Sequence, residues 1–68
     1  MDEPYIELNS FLKIKNQATT GGQAKILIRS GTVLVNGQVE TRNRKKLIVG
    51  DQVTINNTVL VVEKEVVR

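Results

Sequence analysis

The chain has 68 residues, enough for one small domain that buries only about 60% of the surface its unfolded form exposes and so has a modest core. It contains no cysteine and no histidine, which excludes disulfide staples and thiolate metal sites and removes the side chain most used for acid–base work near neutral pH. Its net charge is only +3, and what matters is where the charges fall along the chain.

The opening Met1-Asp2-Glu3-Pro4 is acidic and has no long apolar run, so neither a signal peptide nor a membrane span is expected and the cytoplasm is the expected compartment. Residues 5–8 read as a short first strand, since Tyr5 and Ile6 suit a pleated surface. Asn9 or Ser10 can cap a first helix whose apolar face is Leu8, Phe11 and Leu12, with Ile14 at its edge. Lys13 lies off that face. Lys15 falls on its continuation, so either the helix ends there or the lysine stem snorkels. Residues 16–20 form a polar break.

A second helix is predicted from Gly21 to about Ser30. Thr20 and Gln23 have capping-box spacing, in which each side chain satisfies one orphan helical N–H. Ala24, Leu27, Ile28 and Gly31 make one small-and-aliphatic stripe, and Gly31 stands where a helix ends on positive φ. Ile26 points away from that stripe. Val33 and Val35 alternate as a half-buried strand, and Asn36-Gly37 is a strong hairpin signal that returns residues 38–40 antiparallel to 33–35. Residues 41–46 read as a polar, basic loop. Leu47-Ile48-Val49 ends at the Gly50-Asp51 turn, Val53 and Ile55 alternate, Asn56-Asn57 turns, and residues 59–62 return as a last strand. The class is α+β: two short N-terminal helices packed on a small bent antiparallel sheet, as one domain over residues 1–68.

The charges are segregated. Residues 13–46 hold eight bases, namely Lys13, Lys15, Lys25, Arg29, Arg42, Arg44, Lys45 and Lys46, against Glu40 alone, a net of +7. The flanks hold two bases against six acids, a net of −4, and together they return the +3. Such segregation points to a cationic face and a polyanionic partner. The densest part is Arg42-Asn43-Arg44-Lys45-Lys46, four cations that repel one another with no acid inside the run. A phosphate backbone would relieve them and release counterions. Lys25 and Arg29 are a like-charged i, i+4 pair on the second helix, a small cost that a polyanion would offset. Gly21-Gly22 leaves N–H groups open at a helix start, a weak phosphate seat that lacks the spacing of a nucleotide-binding loop. Tyr5 and Phe11 are the only aromatics, and Phe11 belongs to the core stripe. Base stacking is therefore not the expected mode, and shape and phosphate recognition remain. Asp51 fits local turn bonding, and no nucleophile stands with a base, so no catalytic residue, metal site or cofactor is expected.

Residues 6–13, IELNSFLK, followed by residues 23–31, QAKILIRSG, resemble the S-four RNA-binding domain, named after the fourth protein of the small ribosomal subunit and also called the alpha-L motif. Gly31-Thr32-Val33-Leu34-Val35-Asn36-Gly37 resembles its most recognisable stretch, and Val49-Gly50-Asp51-Gln52-Val53 its second signature. The resemblance covers residues 6–56. It implies two helices on a small bent sheet that bind structured RNA, often ribosomal or transfer RNA, with the ribosome as a setting. It implicates Lys25 and Arg29 on the second helix, Asn36 at the turn, and the loop over residues 40–46, which is similar to that of short stand-alone bacterial members. Where many members have a Ser-Arg pair at the start of the second helix, Thr20-Gly21-Gly22 stands here, which shifts the expected weight to residues 42–46. The expected RNA-binding set is Lys13, Lys15, Lys25, Arg29, Asn36, Arg42, Asn43, Arg44, Lys45 and Lys46, on a monomer. The rival readings are a protein–protein module built on Ile26 and a helix-turn-helix DNA binder.

Overall fold

The computed structural model describes residues 4–67; residues 1–3, with most of the acidic opening, and Arg68 lie outside the described residues. Strand β1 (Ile6–Glu7) leads into α1 (Leu8–Ile14) and α2 (Gly21–Arg29), then β2 (Val33–Val35), β3 (Gln38–Val39), β4 (Lys46–Leu47), β5 (Gln52–Ile55) and β6 (Thr58–Val61), with a 3-10 helix over Lys64–Val66. The class is α+β as expected, but the strands form two antiparallel sheets where one was expected. One is the pair β1-β4, and the other has the order β3-β2-β5-β6.

A helix of seven residues cannot hold itself in water, so α1 depends on burying Leu8, Phe11 and Leu12 completely. Asn16 ends it at φ 61°, a left-handed position that asparagine tolerates better than most residues. The N–H of Asn16 then bonds the Lys13 carbonyl at 3.1 Å and that of Gln17 bonds the Leu12 carbonyl at 2.8 Å, the paired closure of a helix C-terminus. Inside the expected polar break Ala18 is nearly fully buried, a core residue that the surrounding polarity hid.

Helix α2 opens with half of the expected capping box. Thr20 Oγ1 accepts from the Gln23 N–H at 3.1 Å. The Gln23 side chain reaches one residue further back than expected, and its Oε1 accepts from the N–H of Thr19 at 2.7 Å and from its hydroxyl at 2.9 Å. Ala24 and Ile28 are buried and Leu27 packs against the same core. Gly31, at φ 83°, stops the helix.

Both two-residue hairpins form. Asn36-Gly37 takes φ 51° and 83°, and Asn56-Asn57 takes φ 51° and 63°, the positive pairs that match the twist of antiparallel strands. The central pair is β2-β5, in register Val33↔Ile55, Leu34↔Thr54 and Val35↔Val53. Side chains alternate across a strand, so Val33, Val35, Val53 and Ile55 all face the core shared with the helices. The last strand is one residue earlier than predicted. Val62 is buried beyond it, bonded through its N–H to the Asp51 carbonyl at 2.9 Å and through its carbonyl to the Gly50 N–H at 3.0 Å. The 3-10 helix was not foreseen; Val66 and Val67 pack against the core there.

Phe11 is the largest fully buried side chain. Truncating a buried phenylalanine to alanine costs about 3–5 kcal/mol, comparable to the whole stability of a domain of this size, about 3–10 kcal/mol. Phe11→Ala is expected to leave the chain largely unfolded at 37 °C, checked by urea denaturation followed by circular dichroism.

Candidate nucleic-acid interface

The basic loop is mounted on main-chain hydrogen bonds. Strand β1 pairs with β4 in register Ile6↔Leu47 and Glu7↔Lys46, so Lys46 belongs to a strand and not to the loop. Past Glu7 the chain turns into α1, and its first free N–H groups find carbonyls of the loop: Leu8 N–H to Lys45 O at 2.9 Å and Asn9 N–H to Asn43 O at 3.1 Å. The opening N–H groups of a helix need partners from outside it. Here a distant backbone supplies them, and neither Asn9 nor Ser10 is the cap. Glu7 occupies the N-cap position with no side-chain cap bond. The Lys45 N–H bonds the Arg42 carbonyl at 3.3 Å and closes the loop as a turn.

On this mount the four cations line one shallow depression, and they do not stand unrelieved as their sequence suggests. Glu40 holds Arg42 in a fork, with Nε 2.9 Å from Oε2 and Nη2 3.2 Å from Oε1, and also accepts the Arg42 N–H at 3.1 Å. The Arg42 hydrogen bond holds the Glu40 carboxyl below the ordinary glutamate range, with burial opposing it, and the same bond raises the arginine. Arg44 Nε lies 3.1 Å from Glu7 Oε2. Lys46 Nζ sits 4.8 Å from the centre of the Tyr5 ring, within cation–π range. Lys45 has no acidic partner among the described residues. Asn43 is half-buried, and its side-chain oxygen is buried with no hydrogen-bond partner among the described residues.

The other predicted residues are spread over separate elements. Lys25 and Arg29 are exposed on α2, one turn apart, with no acidic partner among the described residues and with Ile26 70% exposed beside them. Lys13 is exposed on α1. Lys15 follows α1, where its Nζ meets Glu63 Oε1 at 3.1 Å and lies 5.9 Å from the centre of the Phe11 ring. The Asn36 side chain is bonded within the fold. Its Oδ1 accepts the Gln52 N–H at 2.9 Å and its Nδ2 donates to Asp51 Oδ1 at 3.1 Å. Asp51 Oδ2 in turn accepts the Ile48 N–H at 2.9 Å, the local bonding expected of that turn. Tyr5, Glu7 and Glu40 were missing from the expected site. Glu40 could have been found, since two residues in extended chain put it on the same side as Arg42. Glu7 and Tyr5 needed the β1-β4 pairing. Among the described residues no helix is long and apolar enough to cross a membrane, and no cluster of carboxylates is placed to hold a metal ion.

A sequence profile of the S4 domain matches residues 1–63. The chain is 45% identical over 51 residues to YbcJ of Escherichia coli, named as an RNA-binding protein, an alignment covering 75% of this chain and 73% of that one. It is 40% identical over 55 residues to RlbA of Bacillus subtilis, named as a ribosome maturation protein, covering 81% and 78% of the two chains. The solution structure of YbcJ, described as revealing an alpha-L motif involved in RNA binding, matches with a TM-score of 0.67 at 38% identity over 93% of this chain and 80% of that one.

The Glu40–Arg42 fork carries a pH signature. A carboxyl whose value is lowered by folding stabilises the fold above its unfolded value, and that contribution is lost as pH falls through the folded value. An NMR titration of the Glu40 carboxyl is expected to give a midpoint below the ordinary glutamate range that rises toward it in Arg42→Ala. Equal midpoints in the two proteins would refute the fork in solution.

Proposed function

The chain belongs to the S4 domain family, and from that premise we propose that it is a single RNA-binding domain, not an enzyme, that docks on structured RNA in the cytoplasm. The observation that carries the reading is the placing of Arg42, Arg44 and Lys45 on the loop and Lys46 on β4 around one depression, held by backbone bonds to α1 and by the β1-β4 pair. A rigid mount presents charge without ordering a loop at the moment of binding, which keeps the entropic cost of association low. Lys25 and Arg29, exposed on α2, extend the cationic surface, and Lys13 adds to it. Asn43 stands in the same loop. Lys15 and Asn36, bonded to internal partners, contribute by holding the surface in shape.

Ribosomal RNA is the RNA we favour, because RlbA is named for ribosome maturation; transfer RNA is the alternative. The protein acts as a monomer that needs no cofactor. The family leaves the helix-turn-helix DNA reading without support. The 70% exposure of Ile26 favours a second reading, a protein contact on α2. Partner binding that survives high salt and is lost in Ile26→Asp would establish it; binding unchanged in that variant would remove its basis.

Neutralising about four phosphates predicts a slope of about −3 for log affinity against log salt. A flat salt response would sink the proposal. Lys45→Ala is expected to reduce the slope by about 1. Glu40→Gln frees Arg42 from its carboxylate and is expected to tighten binding about two- to fivefold, since an exposed ion pair is weak. Filter binding to 16S and 23S ribosomal RNA fragments and to transfer RNA between 50 and about 300 mM salt measures all three and ranks the RNA classes.

A further inference from the structure

Beside the cationic loop lies a groove of about 620 Å³ between β1, α1 and the 3-10 helix. Among its lining residues are Tyr5, Glu7, Ser10, Ile14, Glu65 and Val66. We propose that this groove is a subsite for one unstacked RNA base that carries an exocyclic amino group: cytosine, adenine or guanine. The inference rests on the RNA-binding reading and adds to it a base-specific contact.

Three observations converge. First, of the two aromatics Phe11 is fully buried, whereas Tyr5 is 36% exposed and lines the groove. Its ring is also in contact with Lys46, 4.8 Å away, so the aromatic wall and the phosphate-binding loop share a side chain's reach. Stacking on an aromatic ring is how proteins hold unpaired bases in RNA. Second, the rest of the lining is mixed in the way a base requires. Ile14, 51% exposed, and half-buried Val66 offer apolar flanks for a ring. Ser10 and the carboxylates of Glu7 and Glu65 offer acceptors.

Third, the sign of the charge changes across a short distance. The depression lined by Arg42, Arg44, Lys45 and Lys46 attracts phosphate, while two carboxylates in the groove repel it. A nucleotide with its phosphate over the loop therefore presents its base to the groove. Carboxylates accept from exocyclic amino groups, which cytosine, adenine and guanine have and uracil lacks. Glu7 joins the two halves. Its Oε2 holds Arg44 at 3.1 Å, and its Oε1 has no partner among the described residues, so one carboxylate can orient a phosphate-binding arginine and accept from a base.

Tyr5 is the only tyrosine and the chain has no tryptophan, so the intrinsic fluorescence of the full chain reports this ring alone. The probes are three RNA hairpins with the same stem: fully paired, with one bulged cytidine, and with one bulged uridine. Affinities come from the anisotropy of a dye on the RNA end. The bulged-cytidine hairpin is expected to bind about tenfold tighter than the paired stem and to quench Tyr5 emission, the bulged-uridine hairpin falling between them. Tyr5→Phe should keep the gap within about twofold, and Tyr5→Ala should remove it, so that the bulged and paired hairpins bind that variant alike. Glu65→Gln should narrow the difference between cytidine and uridine. If the three hairpins bind equally to the wild type with Tyr5 emission unmoved, the subsite is overturned and the RNA-binding reading stands. If no hairpin binds, that reading fails and the subsite with it.

Discussion

The two hydrogen bonds from Leu8 N–H to the Lys45 carbonyl and from Asn9 N–H to the Asn43 carbonyl couple the helical half of the molecule to its most basic loop. A seven-residue helix has few internal bonds, so its opening donors matter to whether it forms at all. A loop of three like charges running into a fourth on β4 has no reason of its own to adopt one shape. Each supplies what the other lacks: the helix start needs acceptors, and the loop backbone needs donors. The β1-β4 pair, two residues on each strand, holds them at the right distance, and Ile6 and Leu47 bury the join. Removing either element leaves the other without its boundary condition.

The electrostatics of the loop follow from that coupling. Drawing the loop onto β1 brings Arg44 within reach of Glu7, and the return from β3 brings Arg42 within reach of Glu40. Pairs this exposed add little to stability. Their effect is on order and on net charge: both arginines are oriented by ion pairs, whereas among the described residues Lys45 and Lys46 make none. A phosphate on this surface would meet two lysines outside any described ion pair but would share each arginine with its carboxylate. The ion pairs thus moderate the self-repulsion of the free loop and would at the same time limit how tightly it could hold a polyanion. Asn43 sits at the centre of this compromise, its buried side-chain oxygen without a partner among the described residues while its carbonyl caps α1.

What could be read in the sequence was what local chemistry decides. Thr20, Gln23 and Gly31 mark the ends of α2, and Asn36-Gly37 and Asn56-Asn57 mark the hairpins, because each of those outcomes depends on a few adjacent dihedrals. The grouping of Arg42, Arg44, Lys45 and Lys46 was equally legible, being contiguous. What escaped depends on residues far apart in the chain. The α1 cap comes from residues 43 and 45, so a search for a capping side chain at Asn9 or Ser10 had nothing to find. The split into two sheets turns on β4, whose two residues are too short a run to signal a strand. Tyr5 looked incidental because one aromatic count cannot tell a core ring from a rim ring; the β1-β4 pairing decides that. Lys15 could be read either way, and the structure has both: α1 ends just before it, and its ammonium returns to Glu63.

The second, larger sheet is tied off by a different knot, and it bears on the groove. Asn36 takes the positive φ its turn demands and then commits both ends of its amide to β5 and Asp51, while Asp51 holds the Ile48 N–H. Through Gly50 and Asp51 the same turn bonds Val62, the residue from which the chain leaves the sheet toward the 3-10 helix. Glu63 then clasps Lys15 at the end of α1, and Val66 lines the groove together with Tyr5 and Ile14. One wall of the groove therefore depends on β1 and its pairing with the basic loop, and the other on the hairpin knot at Asn36. A ligand in the groove would bridge these two parts of the fold, and so would stabilise the whole domain by an amount that grows with the logarithm of its concentration over its Kd.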